Sequence, residues 1–141
     1  MADQKRKFEF TFRDKIKYAD CDMHQHLNHA KYLSFLEQAR VEYFGKLGFK
    51  ATHDFRSIPF IVAAAHCDYK APAYLNDEIL IEMGTTSFGN TSFRIDYEMK
   101  HAKTGKLIAQ AYTILVMYDY DKMKPVSVPE NLKKEVQKLK A

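Results

Sequence analysis

The chain has little of what would mark it as secreted, membrane-spanning or nucleic-acid-binding. Its two cysteines, Cys21 and Cys67, show no ligand-type spacing. A disulfide-dense scaffold and a cysteine metal cluster are therefore not expected, and a reduced compartment is the default. No apolar run approaches the ~18 residues of a spanning helix. The segment from Met1 to Lys7 lacks the apolar stretch of a secretory signal, so a soluble, cytoplasmic protein with no membrane partner is expected. The formal charge of +4 is modest and comes largely from the ends, Lys5-Arg6-Lys7 and Lys133, Lys134, Lys138 and Lys140. Nucleic-acid binding would need a denser basic stripe with stacking aromatics, and no such partner is expected. A mild positive field still favours an anionic ligand. No repeat, low-complexity segment or second domain is evident. At 141 residues and 46% hydrophobic, a single domain over residues 1–141 buries about two-thirds of its unfolded surface without a staple.

Phe8-Glu9-Phe10-Thr11-Phe12-Arg13 alternates as a strand with one wet face, and Ile16-Lys17-Tyr18 continues it past a bulge near Asp14. From Ala30 to Leu47, apolar residues at Tyr32, Leu33, Leu36, Ala39, Tyr43, Phe44 and Leu47 form a helical stripe. Asn28 is the candidate N-cap, and Gly45 and Gly48 mark the C-terminal end. Strands are then expected over Phe60 to Ala73, Glu78 to Met83, Thr91 to Met99 and Leu107 to Tyr118, with turns at Phe88-Gly89-Asn90 and Thr104-Gly105. Pro125 and Pro129 end the sheet, and Glu130 to Lys140 reads as a short basic helix with Leu132, Val136 and Leu139 on one side. Consecutive strands with short turns imply an α+β fold, one long helix wrapped by a curled, largely antiparallel five-stranded sheet. The sheet's free edges ask for a partner copy.

Ahead of the long helix, Asp20-Cys21-Asp22-Met23-His24-Gln25-His26-Leu27-Asn28-His29 concentrates two carboxylates, a thiol and three imidazoles. Three readings fit it. His24-x-His26-x-x-His29 with a nearby Asp or Cys supplies enough donors for zinc, although an HxH pair on extended chain points its rings apart. Asp20 and Asn28 suit caps and turns, with the histidines bonded to backbone. The third reading is catalytic: a carboxylate acts as base or nucleophile while a helix-start N–H holds a developing oxyanion. Cys21 is a poor nucleophile, because its two Asp neighbours raise its pKa, and Cys67 reads as a buried, inert thiol.

The pattern Tyr18-x-Asp20-Cys21-Asp22-x-x-x-His26-Leu27-Asn28-His29-x-x-Tyr32-Leu33-x-Phe35-Leu36-Glu37-x-Ala39-Arg40 resembles the 4-hydroxybenzoyl-CoA thioesterase-type branch of hotdog-fold acyl-CoA thioesterases. Looser similarity continues through Asp68-Tyr69-x-x-Pro72, Asp77-Glu78-Ile79, Gly89-Asn90-Thr91-Ser92-Phe93 and Lys124-Pro125-Val126-x-Val128-Pro129. The resemblance implies a hotdog fold, homodimeric or homotetrameric, that hydrolyses an acyl-CoA thioester without metal or cofactor. It makes Asp22 the catalytic carboxylate and puts an oxyanion-binding backbone N–H near His29, whose imidazole is a further candidate acid or base. Tyr32 and Glu37 are expected on the buried, site-facing side of the helix, a solvent-facing Glu37 paired with Lys or Arg being the alternative, with Asn28 and Asn90 also binding substrate. Relatives commonly carry Gly where this chain has Gln25. Met23-His24-Gln25-His26 is closer to the loop of plant acyl-ACP thioesterases, which adds a carrier-protein thioester as substrate and His24 and His26 as candidate bases.

Two rivals share the fold. A non-catalytic acyl-CoA or acyl-carrier binder would hold the thioester without releasing thiol. A hotdog dehydratase pairs a His with an acidic residue on a differently placed helix motif, and the Asp-x-Asp ahead of this helix argues against it.

Overall fold

The computed structural model describes residues 7–141, so Lys5 and Arg6 of the front basic run lie outside the described residues. In chain order the elements are β1 (Phe10–Lys15), α1 (Tyr32–Lys46), β2 (Phe60–Tyr69), β3 (Glu78–Phe88), β4 (Ser92–His101), β5 (Leu107–Asp119), β6 (Lys124–Pro125) and α2 (Glu130–Lys140). All the strand pairs are antiparallel, in the order β1-β3-β4-β5-β2, and β6 pairs with the end of β5. The two-residue β6 adds a sixth strand to the five expected.

Period-two alternation sends Ile79, Ile81 and Met83 of β3, Phe93, Ile95, Tyr97 and Met99 of β4, and Ala109, Ala111 and Leu115 of β5 into the core. Helix α1 covers that face with Tyr32, Phe35, Leu36, Ala39, Tyr43 and Phe44. Phe44 meets Phe60 at 4.7 Å and Phe93 at 6.3 Å between ring centroids, and Phe60 meets Phe93 edge-on at 5.2 Å. Such pairs add about 0.5–1.5 kcal/mol each beyond the area they bury. One helix wrapped by an antiparallel sheet is the hotdog arrangement.

Several polar groups inside this layer pair with one another. The Tyr43 hydroxyl donates to Glu9 Oε2 at 2.6 Å and lies 2.9 Å from Thr85 Oγ1. The Thr85 N–H, at a register shift in β3, also donates to Glu9 Oε2. Burial first, and the Glu9 carboxylate next, push the Tyr43 phenol far above its ordinary range. Buried Arg40 donates to the Tyr97 hydroxyl at 3.3 Å, and that hydroxyl sits 2.8 Å from Thr113 Oγ1.

The end of α1 is set by local chemistry. Gly48 has φ +96°, Gly48 N–H donates to the Gly45 carbonyl and Phe49 N–H to the Phe44 carbonyl. That is a Schellman motif, whose left-handed residue is free of strain only as glycine. Asn28 caps the helix entry one turn early: a 3₁₀ turn at His29–Lys31 precedes α1, and the Asn28 side chain accepts from Ala30 N–H at 3.1 Å.

Four expectations are corrected. The first strand stops at Lys15 without a bulge at Asp14, and Tyr18 falls in a 3₁₀ turn. Ile16 still bonds the chain just ahead of β3, its N–H donating to the Asp77 carbonyl and its carbonyl accepting from Asn76 N–H, before the turn at Tyr18 begins. The second strand ends at Tyr69, because Lys70 and Ala71 N–H groups both turn to the Ile108 carbonyl ahead of Pro72, which has no N–H. The third runs on to Phe88 because it pairs with β4 as a long hairpin. On α1, Phe35 is buried and Leu33 is 45% exposed, so the sheet leaves the flank of the helix that carries Leu33 open.

Candidate active site

Asp20 organises the approach to the loop. Its carboxylate accepts from Lys17 N–H at 2.9 Å, closing the turn Tyr18–Asp20, and its carbonyl accepts from Asn28 N–H at 2.8 Å. Between these points the chain makes a hairpin. Cys21 and Leu27 form an antiparallel bridge, Asp22 N–H donates to the His26 carbonyl, and Gln25 N–H returns to the Asp22 carbonyl, each at 2.9 Å. The loop of Met23, His24 and Gln25 ends with Gln25 at φ +63°. A three-residue hairpin loop asks for a left-handed residue at this point, normally glycine. The glycine of relatives thus answers a backbone requirement, and Gln25 adopts the same conformation with a side chain attached. Gln25→Gly is expected to stabilise the protein by about 0.5–1 kcal/mol, the αL penalty less the extra unfolded-state entropy of glycine. Urea unfolding checks this, and a loss of stability would mean that the Gln25 side chain contributes a contact outweighing its strain.

The Asp22 carboxylate is exposed, and its Oδ1 accepts from His24 N–H at 2.9 Å. The loop itself therefore orients this carboxylate. The hairpin is tied to the connection between β2 and β3 by Leu27 N–H to the Ala73 carbonyl at 2.7 Å and Leu75 N–H to the Gln25 carbonyl at 3.3 Å. His26 bridges Tyr74, whose ring meets the imidazole edge-on at 4.8 Å. Burial, then the charges of Asp20 and Asp22, push the Cys21 thiol up, and its Sγ lies 3.5 Å from the Lys17 carbonyl. Both features leave it a weak nucleophile.

The N–H groups of the helix entry identify the free donor. Ala30 N–H goes to the Asn28 side chain, Lys31 N–H to the Asn28 carbonyl at 2.8 Å, and Tyr32 N–H to the His29 carbonyl. Among the described residues no acceptor takes the His29 N–H. It stands at the positive end of the helix dipole, where an anion or a polarised carbonyl is favoured.

Asp22, His26, His29, Tyr32, Tyr69 and Lys70 line one cleft of about 370 Å³. The structure thus gathers Asp22, His26, His29 and Tyr32 in one place, with Asn28 capping the turn behind His29. It does not bring in the other three expected residues. His24 projects from the loop tip, its ring 6.2 Å from that of His26. The Glu37 side chain is 74% exposed, 4.0 Å from Arg40, so of its two expected settings the solvent-facing one beside an Arg is found and the buried one is corrected. Four residues beyond Leu33, about one helical turn, it shares that residue's open flank. Asn90 sits in the β3–β4 turn at the other end of the sheet, where its carbonyl accepts from Val128 N–H. The three histidines do not converge with other ligands: among the described residues no group of three or more His, Cys, Asp or Glu is placed to hold a metal ion.

Tyr69 and Lys70 were not expected. Forty residues separate Tyr69 from the loop, and no local pattern signals that contact. Cys67, on the same strand, is half-buried rather than fully buried; burial and the Asp68 charge raise its pKa. A larger cleft of about 470 Å³ lies on the outer sheet face, but its charges pair among themselves as Arg94–Asp96, Lys7–Glu98 and His66–Asp68.

The model of the thioesterase-like superfamily matches residues 16–136. The chain is 29% identical over 133 residues to the acyl-CoA thioesterase YbgC of Haemophilus influenzae, covering 93% of this chain and 96% of the relative. It is 27% identical over 127 residues to the 1,4-dihydroxy-2-naphthoyl-CoA hydrolase of Synechococcus elongatus, covering 88% and 92%. A thioesterase from Thermus thermophilus, solved with coenzyme A and zinc, superposes with a TM-score of 0.82 at 26% identity, covering 94% and 95%.

Proposed function

Because the chain belongs to the thioesterase-like superfamily, we propose that it hydrolyses an acyl-CoA thioester in the cleft between the Asp22 hairpin and the start of α1. The observation that carries this reading is the convergence of the Asp22 carboxylate and the cleft-lining His29, whose N–H has no partner among the described residues, on one opening. The thioester carbonyl oxygen accepts the His29 N–H, and negative charge grows on it as the carbonyl carbon becomes tetrahedral. Asp22 either takes a proton from a water that adds to the carbon, after which the C–S bond breaks, or adds to the carbon itself, so that C–S cleavage expels the thiolate and leaves an anhydride that water then opens. In both routes the thiolate leaves without an acid and takes up a proton released from the water, and the products are a carboxylic acid and free thiol. His26, which lines the same cleft with its ring against Tyr74, takes or returns the proton in this reading. His24 at the loop tip is the weaker candidate base.

Substrate contacts follow from the same geometry. Tyr32 forms a wall of the cleft and Asn28 holds the turn beneath it. Lys70 supplies a cation at the rim for the phosphates of coenzyme A or of a phosphopantetheine carrier. Glu37 and Asn90 reach a substrate only if a second copy brings them to it. Strand β2 supports that assembly: among the described residues it pairs with β5 alone, and Ile61, Val62 and Tyr69 on it are 37–52% exposed. An unpaired ten-residue edge with apolar side chains favours antiparallel pairing with its own copy. This gives a homodimer, or a homotetramer of two such pairs, and sedimentation returning a monomer at working concentration would remove it. No helix among the described residues is long and apolar enough to cross a membrane, in keeping with a cytoplasmic site of action.

The test is thiol release from a panel of aliphatic and aromatic acyl-CoAs and an acyl-carrier protein. Turnover of at least one acyl-CoA is expected. Saturable binding of the panel with no thiol release would replace this reading with a non-catalytic acyl-CoA binder.

A further inference from the structure

Tyr69, the last residue of β2, joins the sheet edge to the helix entry. Its hydroxyl donates to the His29 carbonyl at 3.2 Å. Its ring, although the residue is 52% exposed, stands edge-on to Tyr32 at 4.8 Å and to the His29 imidazole at 6.5 Å. The side chain therefore touches both parts of His29 that face the cleft, the backbone and the imidazole.

We propose that Tyr69 is a positioning residue for hydrolysis: its hydroxyl, bound to the His29 carbonyl, fixes the entry turn so that the His29 N–H and imidazole stay aimed into the cleft. The proposal rests on the thioester reading above. The His29 carbonyl already accepts the Tyr32 N–H, so it needs no second donor for satisfaction. The extra bond contributes direction instead. A three-residue 3₁₀ turn has poorer hydrogen-bond geometry than an α-helix, and His29 and Ala30 are exposed, so this turn frays readily if nothing else holds it. Asn28 restrains the turn from the preceding side, through Ala30 N–H. Tyr69 restrains it from across the cleft as a neutral phenol donor, and partial burial first, then the neighbouring Cys67, moves its pKa further up. The oxyanion donor is thereby tied to the sheet edge.

The experiment compares Tyr69→Phe, which keeps the ring and removes the hydroxyl, with the wild-type chain. A fall in kcat of roughly tenfold to a hundredfold is expected, the scale of a slightly misplaced reacting group. KM should stay within about twofold, with thermal stability nearly unchanged and amide exchange at residues 29–32 accelerated. Wild-type kcat in Tyr69→Phe overturns the proposal, and so does a fall in kcat matched by global loss of stability. If the wild-type chain releases no thiol from any acyl-CoA, the thioester reading falls and this inference with it. An active wild type beside an equally active Tyr69→Phe overturns only the role given to Tyr69.

Discussion

Asp22→Asn is expected to lower kcat for acyl-CoA hydrolysis by about 10²–10⁴-fold with the fold intact. The amide is nearly isosteric and keeps an oxygen that can accept the His24 N–H, so the hairpin loop retains its shape. What disappears is the negative charge, and with it both the nucleophile and the general base. Asp22→Ala is a less clean probe, since it also removes the loop's own hydrogen bond and lets the carboxylate position and the turn change together. Steady-state kinetics on the best substrate of the panel, alongside thermal unfolding, read the two effects separately. Wild-type-like turnover in Asp22→Asn would move the chemistry to His26 or His29. A single turnover in ¹⁸O-water distinguishes the two roles of the carboxylate: label enters Asp22 only if it attacks the thioester itself.

His29→Pro is expected to cost about 10²–10³-fold in kcat, the usual loss on removing one oxyanion donor. His29 is the first residue after the Asn28 cap, a position that proline favours, and Asn28 already holds the extended φ −63°, ψ 129° required before proline. The substitution therefore removes one N–H and the imidazole while fitting the backbone. His29→Ala, the control, removes only the imidazole. If the backbone donor carries the chemistry, His29→Ala retains most activity and His29→Pro loses it. Equal losses in both would assign the effect to the imidazole.

Much of this molecule was legible in the residues alone. The periodicity of Leu132 and Val136 after Pro129 places α2 at Glu130–Lys140, as found. The stripe from Tyr32 to Phe44 finds the long helix, and Asn28 finds its entry. These features are encoded within a few residues of one another, as caps, turns and periods. Leu33 and Phe35 show where such reasoning stops. Both lie at the margin of the apolar stripe, and which of them is buried depends on how far the sheet wraps around α1. Gln25 shows the intermediate case: the departure from glycine is visible in the sequence, but its reason, a left-handed backbone at the end of a three-residue loop, is geometric.

For the site, the local sequence determined the clustering of Asp22, His26, His29 and Tyr32, because a hairpin running straight into a helix keeps near neighbours together. It also supplied the unpaired N–H, since helix starts always leave donors over. The tertiary structure alone decided the rest. It set Tyr69 and Lys70 across the cleft, turned Glu37 to the open flank and left Asn90 at the far end of the sheet. Residues forty or more positions apart meet only through strand register and the closure of the sheet on the helix, and those long-range pairings leave no periodic trace in the chain.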